Sequence, residues 1–457
     1  MLTIHDFQQA RLTRDPRFDG RFFIAVRSTG IFCRPICPAK LPREENVEYF
    51  TLAQQAMLAG YRPCLRCRPD SAPHSHAWNG VDTTVNRALS LLSENLHLSM
   101  TSIAEKLGIS DRYLRQLFLQ HIGLSPKQYQ VYEQILFAKQ LLQHTQLPIE
   151  HIADAAGFND ARRLQYNMQR VMRRTPKELR KKPTSNMQPI VIPLAYRPPY
   201  NWSHIRDFLA RRAIPGTEAI DKNSYARNFT LGASKGHFHA LHQADKNRFH
   251  VTLTLDDLTQ LKPALNNIRR ILDVDADSVT IDNQIQQSGL DPKLITPGIR
   301  IPGIWNTFEA GCRAILGQQI SVAAAINLVT KLVANLGETV PDEQCQQIEL
   351  TRFFPTPEAV ANSDLSFLGM PNSRRETLRR FAAFYTQHPD APPNEWLSIK
   401  GIGPWTVAYA NLRGQSHADI WLDSDLVIKK QLTLHSIDAN KVSPWRSYLT
   451  FTLWSQA

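Results

Sequence analysis

The sequence predicts a multidomain chain, mainly α with α+β parts. Three observations carry that reading. The chain has 457 residues, too many for one hydrophobic core, so about three or four domains are expected. Two polar, proline-bearing stretches, residues 68–76 and 181–189, read as linkers. The hydrophobic pattern is helical over 82–182. It alternates like strands, with helices between, from 190 to about 290, and is helical again from Gly303.

Composition narrows the class. No apolar run reaches the roughly 20 residues of a bilayer crossing, and the polar start at Met1 lacks an apolar signal core. A cytoplasmic protein with no membrane partner is expected. Four of the six cysteines cluster, which suits a reducing compartment; Cys312 and Cys345 read as inert thiols. The net charge of +12 is uneven. Residues 1–186 hold 26 Lys+Arg against 16 Asp+Glu, and the remainder holds 27 against 25. A basic front half predicts a polyanion partner, with double-stranded DNA leading. The near-neutral rear half would need local contacts to hold DNA.

Residues 1–78 carry Cys33, Cys37, Cys64 and Cys67, spaced C-x3-C and C-x2-C. Two such pairs build a tetrahedral Zn–S4 site, so one Zn2+ on four cysteines is expected. Thiolates on zinc stay deprotonated near neutral pH and remain nucleophilic. One exposed to an alkylated phosphate can take its methyl group by in-line displacement. Losing one negative charge, the site would then repel phosphate less and hold DNA more tightly. The flanking residues, Arg27 to Cys37 and Gly60 to Cys67, closely resemble the methylphosphotriester-repair domain of the Ada family. So do Asp15 to Gly20 and Arg43 to Val47. The resemblance implies a small zinc-bound α+β domain in which Cys33 is both ligand and methyl acceptor. Cys37, Cys64 and Cys67 would be ligands only.

Residues 82–182 read as two helix–turn–helix units. In the first, Thr101 to Ser110 precedes Asp111 to Phe118; Gly108 suits the turn and Ser110 an N-cap. Leu114, Leu117 and Phe118 share a face, leaving Arg112, Tyr113, Arg115 and Gln116 outward. A second copy starts near Ile149, with Asn159, Arg162, Arg163 and Gln165 as outward candidates. Two such units suit successive major grooves. The pair resembles the AraC-type DNA-binding domain, which implies operator binding and transcription activation, with RNA polymerase as a partner. One departure stands out. The first copy ends at Gly123, but the second has Arg173 where the family usually has glycine, which predicts a less typical second unit.

The rear half is read as 190–298 and 299–457. Gly401 and Gly403 lie in a hairpin pattern, Trp396 to Ala408, where glycine lets the backbone approach a phosphate. Asp425 follows twenty residues after Trp405. Breaking an N-glycosidic bond passes through an oxocarbenium-like sugar, which a carboxylate stabilises while orienting or deprotonating water. Asp423 is the alternative by position. The hairpin, glycines and aspartate resemble the helix–hairpin–helix DNA glycosylase superfamily. Residues 195–457 resemble its AlkA-type 3-methyladenine branch, matching at Pro199 to Trp202, Tyr225 to Arg227, Phe308 to Gln318, Phe354 to Pro357, Leu368 to Pro371 and Pro444 to Tyr448.

That resemblance implies an antiparallel α+β AlkA N-terminal domain followed by an all-α glycosylase domain. It makes Asp425 the catalytic residue and assigns Trp405, Tyr409, Trp454 and Phe208 to a base pocket. Electron-poor alkylated purines stack well on such rings. The lysine of the superfamily's lyases is replaced by Trp405, so no Schiff base or strand cleavage is expected. The iron–sulfur cysteine run is missing too. The residue that fills the gap of the flipped base is leucine in the AlkA prototype but Gln319 here. The prototype's tyrosine next to the catalytic Asp is Leu426.

The chain thus resembles an Ada-type regulator fused to an AlkA-type glycosylase. This implies an alkylation-damage repair and response protein, expected as a monomer. It would excise 3-methyladenine hydrolytically, accept methyl groups at Cys33 and activate transcription once methylated. Ada's Pro-Cys-His-Arg tetrapeptide is absent, so no O6-methylguanine repair is expected. The alternatives are a regulator with a non-catalytic glycosylase-like half, or a glycosylase whose front half only tethers it to DNA. The linker at 181–189 predicts flexible tethering between the halves.

Overall fold

A computed structural model describes residues 4–15, 18–19, 21–51, 53–64, 66–67, 69, 84–180, 190–341 and 350–456. Most of the first predicted linker, all of the second, and Cys345 lie outside these residues. The chain divides into two compact units, Met1–Arg197 with Lys246–Asn266, and Pro198–Asp245 with Asn267–Ala457. Among the described residues no helix is long and apolar enough to cross a membrane.

The first unit opens with a four-stranded sheet. Its strands are β1 (Phe23–Val26), β2 (Ile31–Cys33), β3 (Val47–Phe50) and β4 (Arg62–Pro63), in the order β3-β1-β2-β4. β1 pairs antiparallel with β2 and β3, while β4 runs parallel to β2. That parallel register sets Phe32 opposite Pro63, so Cys33 and Cys64 each follow a paired residue on adjacent strands.

The inner face of this sheet does not close on itself. Phe23, Phe32, Met57 and Tyr61 share one apolar core with Val85, Leu92, Ile103, Leu114, Phe118 and Tyr132 of the helical segment. At this size a separate core for each module would bury little apolar surface, and pooling them removes more area from water.

Both helix–turn–helix units form as the sequence predicts. Gly108 takes φ 68 after the helix Met100–Leu107, and the Ser110 side chain caps the helix Asp111–His121. The second unit repeats this with the helices Ile149–Ala155 and Ala161–Met172, the latter capped by Asp160. Between them the helix Pro126–His144 opens with a Ser125–Gln128 capping box and is buried around most of its girth.

The departure at Arg173 is absorbed by the backbone. Gly123 sits at φ 77, and Arg173, at the equivalent place, sits at φ 52. The left-handed conformation costs an arginine roughly 1 kcal/mol more than a glycine. The turn geometry survives, and a second capping box, Thr175–Glu178, starts the next helix. Arg173→Gly should therefore raise stability by about 1 kcal/mol, read as a shift in the urea midpoint. No gain would mean that the arginine side chain offsets the strain.

Tethering alone does not describe the first unit. The buried Arg197 donates from Nε to the Asp19 carbonyl at 2.6 Å. Asn266 Nδ2 donates to the carbonyls of Ser93 and Glu94 at 3.2 and 3.3 Å. Residues on either side of positions 181–189 are thus in direct contact, where the sequence predicts a flexible connection. The strand Arg248–Leu255 pairs antiparallel with Ile190–Ala195, and Phe249, Val251 and Leu253 are buried on one face, as the alternation requires.

The second unit contains an antiparallel meander, Glu218–Ile220, Ser224–Leu231 and Ser234–Gln243, and a set of helices. The helix Thr307–Leu316 is buried along its whole length from Phe308 and forms the axis of a core with Val329, Leu332, Leu378, Phe381 and Trp396. Gly311 permits this packing. A Cβ there would lie 2.3 Å from the Phe381 ring.

Candidate functional site

The four cysteines converge. Their sulfurs all lie within 4.8 Å of one another. A tetrahedral Zn2+ with Zn–S bonds of about 2.3 Å needs sulfurs about 3.8 Å apart, so this donor set fits the metal. Hydrogen bonds to the sulfurs of Cys37 and Cys64 hold the Cys33 thiol far above its usual range, and hydrogen bonds that Cys67 donates to the sulfurs of Cys33, Cys37 and Cys64 do the same to Cys67. A dication relieves that competition for protons. Cys37, Cys64 and Cys67 are each 8% exposed, whereas Cys33, at the end of β2, is half-buried.

Arg34 braces the cluster, a role the sequence reading missed. Its backbone N–H donates to Cys67 Sγ at 3.3 Å, and its Nη1 donates to the Cys67 carbonyl at 3.2 Å. Its guanidinium is paired with the buried Asp19 carboxylate, Nε to Oδ1 at 2.6 Å. Asp19 is also the residue whose carbonyl Arg197 grips.

In the helical segment Arg112, Tyr113, Arg115 and Gln116 are exposed, as are Asn159, Arg162, Arg163 and Gln165. Leu114 and Leu164 occupy the same place in the two capped helices, so Arg112 and Arg162 correspond. Tyr166, 59% exposed with the Arg170 guanidinium 5.9 Å from its ring centre, was missed among the outward candidates.

In the second unit Asp425 is the N-cap of the helix Leu426–Leu434. Its Oδ1 accepts from the backbone N–H groups of Val427 at 3.0 Å and Ile428 at 3.3 Å. Oδ1 also accepts from the Trp454 indole at 3.2 Å, and Oδ2 from the Trp405 indole at 3.3 Å. Four N–H donors fix the direction of the carboxyl group. Asp423 is exposed two residues earlier.

The four aromatic candidates come together around this group. Trp405 stacks on Tyr409 with centroids 5.2 Å apart, and Phe208 lies parallel to Trp454 at 6.3 Å. Two arginines that sequence reasoning did not single out join them. Arg212 lies 3.8 Å and Arg413 4.7 Å from the Phe208 ring centre. Arg413 Nη1 also donates to the Tyr409 hydroxyl at 3.0 Å. Burial pushes the Tyr409 phenol up, but Arg413 and Arg212 outweigh it and hold the phenol below its usual range. Leu426 is 83% exposed and packs no wall of this cluster.

The hairpin runs from the 3-10 helix Pro393–Ser398 to the helix Pro404–Tyr409. Its two glycines differ. Gly401, at φ 98, is required internally, because a Cβ would lie 2.1 Å from Thr377 Oγ1. Gly403 has nothing within 4 Å of a Cβ position, so its outer face is open to a close backbone approach. Gln319 is exposed on the turn after Leu316.

Next to the aromatic cluster lies a buried ion quartet. Arg227 pairs with Glu218 at 2.8 Å and with Glu309, while Arg313 pairs with Glu218 and Glu309 at 2.7 Å each. Arg313 Nη1 also donates to the carbonyl of Arg212 at 2.7 Å, which links the quartet to the guanidinium over Phe208. Arg227, Glu309 and Arg313 fall in motifs the sequence marks, Tyr225 to Arg227 and Phe308 to Gln318, but their mutual contact was not legible there.

Three family models match the chain. They are the metal binding domain of Ada over residues 6–70, a helix-turn-helix domain over 103–182 and the AlkA N-terminal domain over 191–306. A Mycobacterium tuberculosis protein named "Probable bifunctional transcriptional activator/DNA repair enzyme AlkA" is 32% identical, covering 97% of this chain and 94% of its own length. DNA-3-methyladenine glycosylase 2 of Escherichia coli is 31% identical over 57% of this chain and 95% of its own. The E. coli bifunctional transcriptional activator/DNA repair enzyme Ada is 38% identical over 27% of this chain and 34% of its own.

Proposed function

Since the chain belongs to the family of bifunctional transcriptional activator/DNA repair enzymes that join Ada and AlkA modules, we propose that it repairs alkylated DNA by two chemistries and reports the damage to transcription. The modules are taken as 1–78, 82–182, 190–298 and 299–457.

The rear half is a DNA glycosylase that excises 3-methyladenine and related alkylated bases hydrolytically. The observation that carries this reading is Asp425, aimed by two indoles and two backbone N–H groups. A flipped base enters among Trp405, Tyr409, Phe208 and Trp454. The N-glycosidic bond breaks with its electron pair passing to the base, which leaves neutral if it was a cationic methylpurine. The sugar becomes oxocarbenium-like at C1′, and the Asp425 carboxylate stabilises it electrostatically. Water adds to C1′ and gives up a proton, which Asp425 accepts or passes on. With Trp405 where lyases carry an amine, the backbone stays intact and the enzyme is monofunctional. Release of free base from methylated duplex DNA is the test.

The front half acts on methylphosphotriesters once per molecule. Cys33, Cys37, Cys64 and Cys67 would hold one zinc ion, which when bound keeps the thiols ionised near neutral pH. The half-buried Cys33 sulfur, more open than its three partners, attacks the ester methyl carbon. The C–O bond breaks, its electron pair stays on the phosphate oxygen, and Cys33 becomes a thioether. Cys33→Ala should abolish transfer of labelled methyl from phosphotriester DNA, while Cys312→Ala leaves it unchanged. Labelled protein from the Cys33 variant would place the acceptor elsewhere. The helix–turn–helix pair, through Arg112, Arg115, Arg162 and Arg163, then carries the methylated form to promoter DNA. There the monomer recruits RNA polymerase in the cytoplasm.

A further inference from the structure

The helix Pro126–His144, which joins the two helix–turn–helix units, is apolar on every side over part of its length. Ile135, Leu136, Phe137 and Ala138 are consecutive, so their side chains leave the axis about 100° apart, and all four are buried. A helix that is hydrophobic all round needs partners all round. The helices Thr84–Glu94, Ile149–Ala155 and Ala161–Met172 lie against it. So does the strand Ile190–Ala195, which comes from beyond positions 181–189.

That strand and its pairing partner touch every part of the front half. Arg197 grips the Asp19 carbonyl in the cysteine module. The 3-10 turn Leu258–Gln260 lies against Ile149–Ala155, the first helix of the second helix–turn–helix unit. Lys262 Nζ sits 5.2 Å from the ring centre of the buried Phe137. Asn266 donates to the carbonyls of Ser93 and Glu94, the last two residues of the helix Thr84–Glu94. That helix packs on both helices of the first unit. Carbonyls at a helix C-terminus have no partner inside the helix, so Asn266 caps them from 172 positions away.

We propose that residues 190–197 and 246–266 serve the front half as a clamp, holding the cysteine module and both helix–turn–helix units as one body, so that a cut within 181–189 does not set the regulator free. The AlkA N-terminal model covers this segment, yet its contacts here serve the regulator. Without it the helix Pro126–His144 would turn an apolar face to water, and the end of Thr84–Glu94 would lose its cap. The regulator is thus completed by the half to which it is fused, although its sequence pattern ends near 182. This goes beyond the repair chemistry and stands without it.

The experiment uses the full chain with residues 183–189 replaced by the recognition sequence of a site-specific protease. After complete cleavage the two pieces should stay together on gel filtration at micromolar concentration. Asn266→Asp sets a carboxylate against two carbonyls at the negative end of a helix. It should weaken the pairing of the cut pieces at least about tenfold. Hydrogen exchange on the uncut chain gives a second reading. In Asn266→Asp the amides of the strand Arg248–Leu255 and of the helix Pro126–His144 should exchange faster together, by about tenfold, while those of the helix Thr307–Leu316 keep their rate. Separation of the cut wild-type pieces overturns the proposal. So does a cut Asn266→Asp chain that holds as tightly as wild type, or faster exchange in the strand with the helix Pro126–His144 unchanged.

Discussion

Asp425→Asn should lower release of 3-methyladenine from methylated duplex DNA by at least ~100-fold while leaving the protein folded. The fold survives because asparagine is as good an N-cap as aspartate. Its carbonyl oxygen can keep the bonds from Val427, Ile428 and Trp454 that Oδ1 now accepts. What changes is charge. The neutral amide cannot stabilise a cationic sugar, and its NH2 faces the Trp405 indole N–H, donor against donor. Unfolding midpoints should move by less than about 1 kcal/mol equivalent. Wild type should leave unbroken abasic strands. Residual release within tenfold of wild type would sink the assignment and turn attention to Asp423.

Breaking the buried quartet should be the most destabilising single change in the second unit. Glu309→Ala removes the partner shared by Arg227 and Arg313, both almost fully buried. Leaving buried charge uncompensated costs about 3–5 kcal/mol, a large share of a domain's roughly 5–15 kcal/mol. The variant should unfold at markedly lower urea, and base release should fall with it, because Arg313 also holds the Arg212 carbonyl. A loss under about 1 kcal/mol would show that water reaches the quartet after all.

The same quartet sets an acid limit. Burial pushes the Glu218 carboxyl up, but Arg313 and Arg227 outweigh it and bring it down to about 2 from 4.5. A depressed carboxyl contributes stability above its unfolded value and loses it as pH falls through its folded value. The window is therefore pH 4.5 down to about 2, and the contribution is on the order of 3 kcal/mol. Glu218→Gln should be less stable than wild type at pH 7, and the gap should close over that window.

Much of this protein was legible before any coordinates. Local signals sufficed where chemistry depends on neighbours in sequence. Gly108 and Ser110 mark a helix–turn–helix by turn and cap, and alternation at Phe249, Val251 and Leu253 marks a strand. Cysteine spacing announces a metal site because short loops bring two thiols to one ion. The repeat survived even its one departure, since Arg173 takes the backbone angle its glycine counterpart has.

The rest depends on contacts between residues far apart in the chain, which periodicity does not encode. Nothing near Asp425 says that Trp454 will donate to it across 29 positions, or that Arg212 and Arg413 will meet on Phe208. The pooled core of cysteine module and helices, and the Arg197 grip on Asp19, are of the same kind. Motif, spacing and resemblance therefore determined the module types and the metal-binding cysteine cluster, and pointed to Asp425 ahead of Asp423. The direction of the Asp425 carboxyl, the ions beside its aromatic neighbours and the docking of one module on another were decided by packing, because buried polar groups must find partners wherever the fold brings them.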